Sequence, residues 1–117
     1  MTAHGFAAAV RSEPGRTVLD LSGTLNSDAE LALYSAYDST AEQTVLLNFQ
    51  AVDYINSTGI AVLVGLLSRA RGEGRTVGAF GLLDHYREIF EITRLVDFMD
   101  IYPDESAATG GVAAGAS

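Results

Sequence analysis

The sequence contains no cysteine, and only seven of its 117 residues are Lys or Arg. The absence of cysteine excludes structural disulfides and thiolate metal sites and is compatible with a reducing cytoplasm. Because fifteen residues are Asp or Glu, the net charge is -8. Such a surface repels phosphate backbones and anionic lipid headgroups, and it releases no counterions from nucleic acid. We therefore expect no direct nucleic-acid binding and no membrane binding; a basic protein partner or simple solubility fits this charge.

Long apolar segments are also missing. The longest apolar run, 60–67, is interrupted by Gly65 and is far shorter than the roughly 20 residues that a membrane span requires. The N-terminus lacks the basic start and apolar core of a signal peptide. We therefore expect a soluble, cytoplasmic protein. A chain of 117 residues, 48% of them apolar, can form one domain around a single core.

The hydrophobic pattern switches several times between the period of a strand and that of a helix. Turn residues separate the segments, for example Pro14 and Gly15 between the first two strands. Strands are predicted at 6–10, 17–21, 44–49, 76–80 and 99–102, and helices at 27–39, 57–71 and 83–93.

This order, ββαβαβαβ, predicts a single α/β domain. We expect a mixed, mostly parallel sheet of about five strands with about three to four helices packed against it. The domain is predicted to span residues 1–103. Residues 104–117 are rich in alanine, glycine and serine. They are predicted to form a flexible C-terminal tail, disordered beyond about Ala108, because they bury too little apolar area.

The segment around Ser57 stands out, because it leads from a buried strand directly into a helix. A serine at such a helix N-terminus is often structural, since its oxygen caps a free backbone N–H for about 1 kcal/mol. The same position stabilises a phosphate through free N–H groups and the helix dipole. Gly59 in the first turn costs about 1 kcal/mol relative to alanine. Room for a partner or phosphate, and close packing on a neighbouring strand, are equally good reasons for that glycine.

Three stretches of the sequence carry a resemblance to a known family. They are LLNF at 46–49 with VDYINSTGIAVL at 52–63, LSGTLN at 21–26, and GL at 81–82 with FEITRL at 90–95 and Phe98. Together they resemble the signature of the anti-sigma factor antagonists of the STAS domain family, over roughly residues 6–103.

The resemblance implies a regulator that is not an enzyme. Family members bind an anti-sigma factor, typically a serine kinase of the GHKL type, and so free the sigma factor that it holds. Phosphorylation of the serine matched by Ser57 ends this binding, and a PP2C-type phosphatase reverses it. Thr58 ranks below Ser57 as an acceptor. The predicted partner-binding residues are Asn26, Asn56, Ser57, Thr58, Gly59 and Ile60, and neither a metal nor another cofactor is expected.

At the positions matched by Asn26 and Asn56 the family commonly carries aspartate, whereas this chain carries asparagine. The exchange keeps hydrogen-bonding capacity but removes charge beside the serine. A second interpretation therefore stays open: a STAS scaffold or accessory subunit of a signalling assembly or transport system, without phosphorylation. A weak homodimer is also left open. A serine hydrolase is not expected, because the segment INSTG at 55–59 lacks the first glycine of a nucleophile elbow.

Overall fold

Five strands form one sheet whose spatial order, β1-β2-β3-β4-β5, is also their order along the chain. The computed structural model describes residues 5–109. The strands are β1 (Ala7–Glu13), β2 (Arg16–Leu25), β3 (Thr44–Ile55), β4 (Thr76–Phe80) and β5 (Asp100–Tyr102). The α-helices are α1 (Glu30–Asp38), α2 (Ser57–Gly72), α3 (Asp84–Ile92) and α4 (Glu105–Ala108), and 3₁₀ helices span Ser27–Ala29 and Leu95–Asp97. The predicted α/β fold with a mixed five-stranded sheet is confirmed.

The sheet is antiparallel only at its β1 edge. Strands β1 and β2 form a hairpin, and Gly15 takes a φ of 80° in its turn. The β2–β3, β3–β4 and β4–β5 pairs are all parallel. Each parallel pair needs a crossover connection, and α1, α2 and α3 supply these in turn. The carboxyl ends of β2 and β3 therefore meet at one edge of the sheet, where α1 and α2 begin.

The main core lies between one face of the sheet and α1, α2 and α3. A single cluster of buried residues joins strand positions to all three helices: Leu19, Leu21, Leu47, Phe49, Leu33, Tyr37, Leu63, Leu66, Tyr86 and Phe90. The rings of Phe49 and Phe90 meet edge to face at 5.9 Å between centroids. On α3, Tyr86 and Phe90 are buried, whereas Thr93, which follows the helix, is exposed.

The opposite face of the sheet carries a second, smaller cluster, formed by Val18, Leu46 and Phe80. Tyr102 and Ala108 of α4 pack against it. Asp104 caps α4, because its Oδ1 accepts a hydrogen bond from the Ala107 nitrogen at 2.9 Å. The prediction of a flexible tail from residue 104 is therefore wrong for residues 105–108. These residues form a helix that is stabilised by tertiary contacts. Residues 110–117 of the predicted tail lie outside the described part of the chain.

An ion pair on β1 and β2 lies near α4. The Arg11 guanidinium donates to Asp20 at 2.6 and 3.0 Å and to Glu105 of α4 at 2.8 Å. The Asn48 amide also donates to Asp20, at 2.8 Å. The hydrogen bonds from Arg11, and then from Asn48, hold the pKa of Asp20 below its ordinary value of 3.8 despite partial burial. The contact between Arg11 and Glu105 connects the β1 edge to the last helix.

Three strands are longer than predicted, and the first of them, β1, continues to Glu13 instead of ending at residue 10. Strand β2 continues through Gly23 to Leu25, although the sequence pattern ends it at residue 21. Its register against β3 shifts twice, and these shifts break the alternation that marks a strand. Strand β3 continues to Ile55 instead of ending at residue 49, and beyond Asn48 it pairs with β2 alone. The extension brings β3 to the first turn of α2.

Candidate functional site

Asn56, not Ser57, caps helix α2. Its backbone is extended, and its Oδ1 accepts a hydrogen bond from the Gly59 nitrogen at 2.9 Å. The Asn56 nitrogen in turn donates to the Leu25 carbonyl at 3.2 Å, at the end of β2. The expectation that the Ser57 oxygen forms the cap is therefore wrong. An amide oxygen on the preceding residue satisfies the free N–H group, so Ser57 becomes the first helical residue.

Asn26 occupies the corresponding position after β2. Its Oδ1 accepts from the Asp28 nitrogen at 2.9 Å and caps the 3₁₀ helix Ser27–Ala29, which leads into α1. Two asparagine-capped turns therefore lie side by side at the carboxyl edge of the sheet. Asn26 is therefore the residue that caps this turn.

Thr58 joins these two turns. Its hydroxyl donates to the Asn56 Oδ1 at 2.7 Å and accepts from the Ser27 nitrogen at 3.0 Å. Both hydrogen-bonding roles of the hydroxyl are therefore used within the protein. A phosphate on Thr58 would break these bonds, whereas the Ser57 hydroxyl takes no part in this network among residues 5–109.

Gly59 is buried beneath this surface and packs on β2. A Cβ at this position would lie 2.0 Å from the Leu25 carbonyl oxygen. Only glycine therefore permits α2 to approach the end of β2 this closely. Of the two reasons considered for this glycine, close packing on a neighbouring strand is the one that the geometry supports. Gly59 shapes the predicted partner-binding surface from below and presents no side chain to a partner.

Ser57 is exposed and borders a shallow cavity of about 290 Å³. Ile60, one turn further along α2, lines the same cavity and is half-buried. The opposite wall comes from Ile89 of α3 and from Thr93, which follows that helix. This cavity brings three of the predicted site residues, Asn56, Ser57 and Ile60, to one surface beside α3.

Two exposed apolar side chains lie near the carboxyl ends of β2 and β3. Leu31 on α1 is 79% exposed, and Tyr54 near the end of β3 is 54% exposed. Asp28, Glu30 and Leu31 line a cavity of about 410 Å³ together with Ser27, whose nitrogen is bonded to Thr58. Leu31 fits the helical apolar spacing of a core residue, and only the placement of α1 leaves it in solvent. The predicted order of strands and helices could have indicated this region, because parallel pairing of β2 and β3 brings the turns that follow them together.

The turns after β2 and β3 and the starts of the helices that follow them carry acidic and apolar side chains. Asp28 and Glu30 supply negative charge, and Leu31, Tyr54 and Ile60 supply apolar area. Within residues 5–109 no three His, Asp or Glu side chains come together as metal ligands. In the same part of the chain, no helix has the length and hydrophobicity needed to cross a membrane.

Comparison with known families assigns this architecture. A family model described as "Mlab, STAS domain" matches residues 8–100, which include both asparagine caps and all of α2. The chain belongs to the STAS domain family. The resemblance noted in the sequence is confirmed, and the two capped turns are features of a STAS domain.

Two relatives of this STAS domain are anti-sigma-B factor antagonists, from Listeria monocytogenes serovar 1/2a and Listeria innocua serovar 6a. Each is 34% identical to this chain over 64 residues, which are 55% of this chain. The matched stretch spans 56% of the length of each relative.

Two solved structures share the fold of this chain at low sequence identity. An anti-sigma factor antagonist from Mycobacterium paratuberculosis superimposes with a TM-score of 0.79 at 19% identity, covering 95% of this chain and 97% of that one. A sulfate transporter family protein from Wolinella succinogenes superimposes with a TM-score of 0.72 at 13% identity, covering 86% and 88%. These structural similarities show that this chain has the same fold as the two proteins.

Proposed function

We propose that this protein is a cytoplasmic anti-sigma factor antagonist controlled by phosphorylation of Ser57. In its unphosphorylated form it binds an anti-sigma factor serine kinase of the GHKL type and thereby frees the sigma factor. Phosphorylation of Ser57 by that kinase ends the interaction, and a PP2C-type phosphatase restores it. The protein itself is a binding module and not an enzyme. The names of the Listeria relatives support the antagonist role.

The observation that carries this proposal is the separation of Ser57 from the cap that starts α2. Asn56 and Thr58 hold the helix start together, while the Ser57 hydroxyl is exposed and outside their network. A phosphate added to this hydroxyl would stand at a helix N-terminus, which favours anions. Phosphorylation at Ser57 therefore leaves the fold intact, as a reversible switch requires.

The charge around Ser57 explains why the phosphate would end binding. A phosphoserine adds about -1.5 to -2 charges at neutral pH. It would be added to a protein whose net charge is already -8, next to Thr58, which contacts the turn that carries Asp28. A partner packed on this surface would have to remove water from the phosphate. A loss of about 4 kcal/mol corresponds to roughly a thousandfold weaker binding.

The same features describe the partner's surface. We propose that the kinase contacts the α1 side of α2, where Leu31 and Tyr54 offer apolar area. Asp28 and Glu30 on that side favour Arg or Lys on the partner. Asn26, Asn56 and Thr58 hold this surface in shape, and Ile60 extends it toward α3.

Incubation with the cognate kinase and ATP tests the switch. The expected result is one added phosphate on Ser57, measured by intact mass and peptide mapping. Ser57→Ala prevents the modification and keeps kinase binding, whereas Ser57→Asp abolishes binding. Thr58→Val is the matched control, because it leaves the Ser57 hydroxyl available. An unchanged mass under conditions where the kinase binds would remove the switch and leave a constitutive binder.

A pair of equally exposed side chains tests the side of α2 that the kinase contacts. Leu31 on α1 and Ile92 on α3 are both 79% exposed and flank α2. We expect Leu31→Asp to weaken kinase binding about tenfold or more, as loss of an apolar anchor does. Ile92→Asp should bind like the unmodified protein. The reverse result would place the interface on the α3 side.

The second candidate is a STAS scaffold or accessory subunit without phosphorylation. The asparagines at positions 26 and 56 favour it, because both serve as neutral caps at positions where the family commonly carries aspartate. A pull-down from the source cell distinguishes the two. Recovery of the same partners by the unmodified protein and by Ser57→Asp supports the scaffold, and loss of the kinase from the Ser57→Asp sample supports the switch.

A further inference from the structure

A second cleft runs along α2 away from Ser57. It has a volume of about 320 Å³, within the range of small-molecule pockets. Val64, Leu67, Ser68 and Arg71 of α2 form one wall, and Thr93, Leu95 and Phe98 form the other. It shares only Thr93 with the cavity at Ser57. Val64 and Phe98 are 49% and 50% exposed, so the apolar lining is open to solvent.

Arg71 gives this cleft its only positive charge. All seven basic residues of the chain are arginines, and six of them form ion pairs within residues 5–109. Arg71 does not: over the same residues no carboxylate lies within 4.0 Å of its guanidinium. It lies instead over the Phe98 ring, 5.1 Å from the centroid. Asp97, nearby, is held by Arg94 at 2.9 Å.

An unpaired arginine in so acidic a protein favours an anionic ligand. A guanidinium binds a carboxylate with two parallel hydrogen bonds, and stacking on an aromatic ring helps to fix its orientation. The cleft therefore combines an anion-binding end at Arg71 with an apolar wall along Val64, Leu67 and Leu95.

Other polar groups in the cleft are scarce. The Thr93 hydroxyl donates to the Ile89 carbonyl at 2.8 Å, so its proton is used within α3. Ser68 is the other hydroxyl in the lining. An extended peptide brings one N–H and one C=O per residue, and the cleft offers too few partners for them. The lining suits a molecule with one charged end and an apolar remainder.

We propose that this cleft binds a medium-chain fatty acid. The carboxylate pairs with Arg71 beside Phe98, and the alkyl chain lies along Val64, Leu67 and Leu95 toward Thr93. This site is independent of the Ser57 switch, because Ser57 does not line it.

Titration of the full chain with decanoate, below its micelle concentration, tests the proposal. Methyl NMR spectra should show saturable shifts of Val64, Leu67 and Leu95. Acetate, which lacks the chain, and decyltrimethylammonium, which carries the opposite charge, should not produce them. Arg71→Gln should weaken binding about ten- to a hundredfold, as loss of a charge-assisted hydrogen bond does. Arg87→Gln, on the outside of α3, is the matched control and should bind normally.

A second variant keeps the test independent of Arg71. Val64→Glu places a negative charge on the apolar wall and should also abolish decanoate binding, with the circular dichroism spectrum unchanged. The proposal is overturned if decanoate gives no saturable shifts, if Arg71→Gln binds equally well, or if the shifts map to Ser57 and Ile60. Binding of an acidic amphipathic helical peptide without any binding of decanoate would also overturn it and would identify the cleft as a protein-docking groove.

Discussion

The Ser27 backbone nitrogen lies 3.0 Å from the Thr58 hydroxyl oxygen, so one side chain connects the turn after β2 to the first turn of α2. The same hydroxyl donates to the Asn56 Oδ1 at 2.7 Å. The two turns around Ser57 therefore form one hydrogen-bonded unit. The contribution of this unit to the stability of the fold can be measured on variants of the unphosphorylated protein.

Replacing Thr58 by valine keeps the shape of the side chain and removes the shared hydroxyl. We expect the free energy of unfolding to fall by about 0.5–1.5 kcal/mol, the usual contribution of a hydrogen bond. Ser57→Ala, which removes a hydroxyl outside the network, should change it by less than about 0.5 kcal/mol. Urea denaturation of both variants measures the difference. Equal stability of the two would contradict the bridging role of Thr58.

The cap at Asn56 predicts that two substitutions of this residue differ in their effect on stability. Asn56→Ala leaves the Gly59 nitrogen without its side-chain acceptor and should cost about 1 kcal/mol of unfolding free energy. Asn56→Asp keeps an acceptor oxygen and adds a negative charge at the helix N-terminus, so it should retain the stability. Thermal and urea unfolding at neutral pH compare the two. If the aspartate variant unfolds as readily as the alanine variant, the capping hydrogen bond is not what stabilises α2.

Gly59→Ala tests the close packing of α2 on β2. The new Cβ would lie 2.0 Å from the Leu25 carbonyl oxygen, which belongs to the backbone. We expect a loss of about 1–3 kcal/mol from overpacking, although alanine favours the helix by about 1 kcal/mol. Gly72→Ala is the matched control, because a Cβ there meets nothing within 4 Å. That variant should be neutral or slightly stabilised in urea. Stabilisation by both substitutions would contradict the tight approach.

Asp20 predicts how stability depends on pH. Its pKa is held below 3.8 in the folded protein by the Arg11 hydrogen bonds and then by Asn48. A carboxylate with a lowered folded pKa stabilises the fold above its unfolded pKa, and this contribution is lost as the pH falls through the folded pKa. Asp20→Asn should therefore be less stable than the unmodified protein at pH 7. The difference should shrink below about pH 4, in urea titrations at several pH values. A difference that stays constant down to pH 2 would exclude the ion pair as its cause.

The order of strands and helices was predictable because most elements carry strong periodic patterns. The apolar segments of β3 and α2 are examples, and the parallel arrangement follows from their alternation. The carboxyl half of β3 was not predictable. Residues 50–55 mix polar and apolar side chains, and their strand conformation depends on pairing with β2. Helix α4 was missed for a similar reason, since its four residues are stabilised by Arg11 and the second cluster.

The site was predictable only in part. The position of Ser57 at the start of α2 follows from the sequence. Which of Asn56 and Ser57 caps the helix does not, because both residue types are good caps. The link from Ser27 to Thr58 depends on how closely two adjacent strand ends approach each other. Leu31 was not recognised because its exposure, and Arg71 because its lack of a carboxylate partner within residues 5–109, is visible only in the structure. Both are properties of the packed molecule that no local pattern encodes.

The strand order β1-β2-β3-β4-β5 has a consequence for how the chain reaches its structure. During synthesis, each strand after β1 pairs with the strand that was synthesised just before it. The sheet can therefore grow from the β1 edge as the polypeptide leaves the ribosome. Only the β1–β2 pairing is local, because each parallel pairing must wait for the crossover helix between its two strands. We expect stalled nascent chains to gain protease resistance in steps, beginning before β5 has emerged.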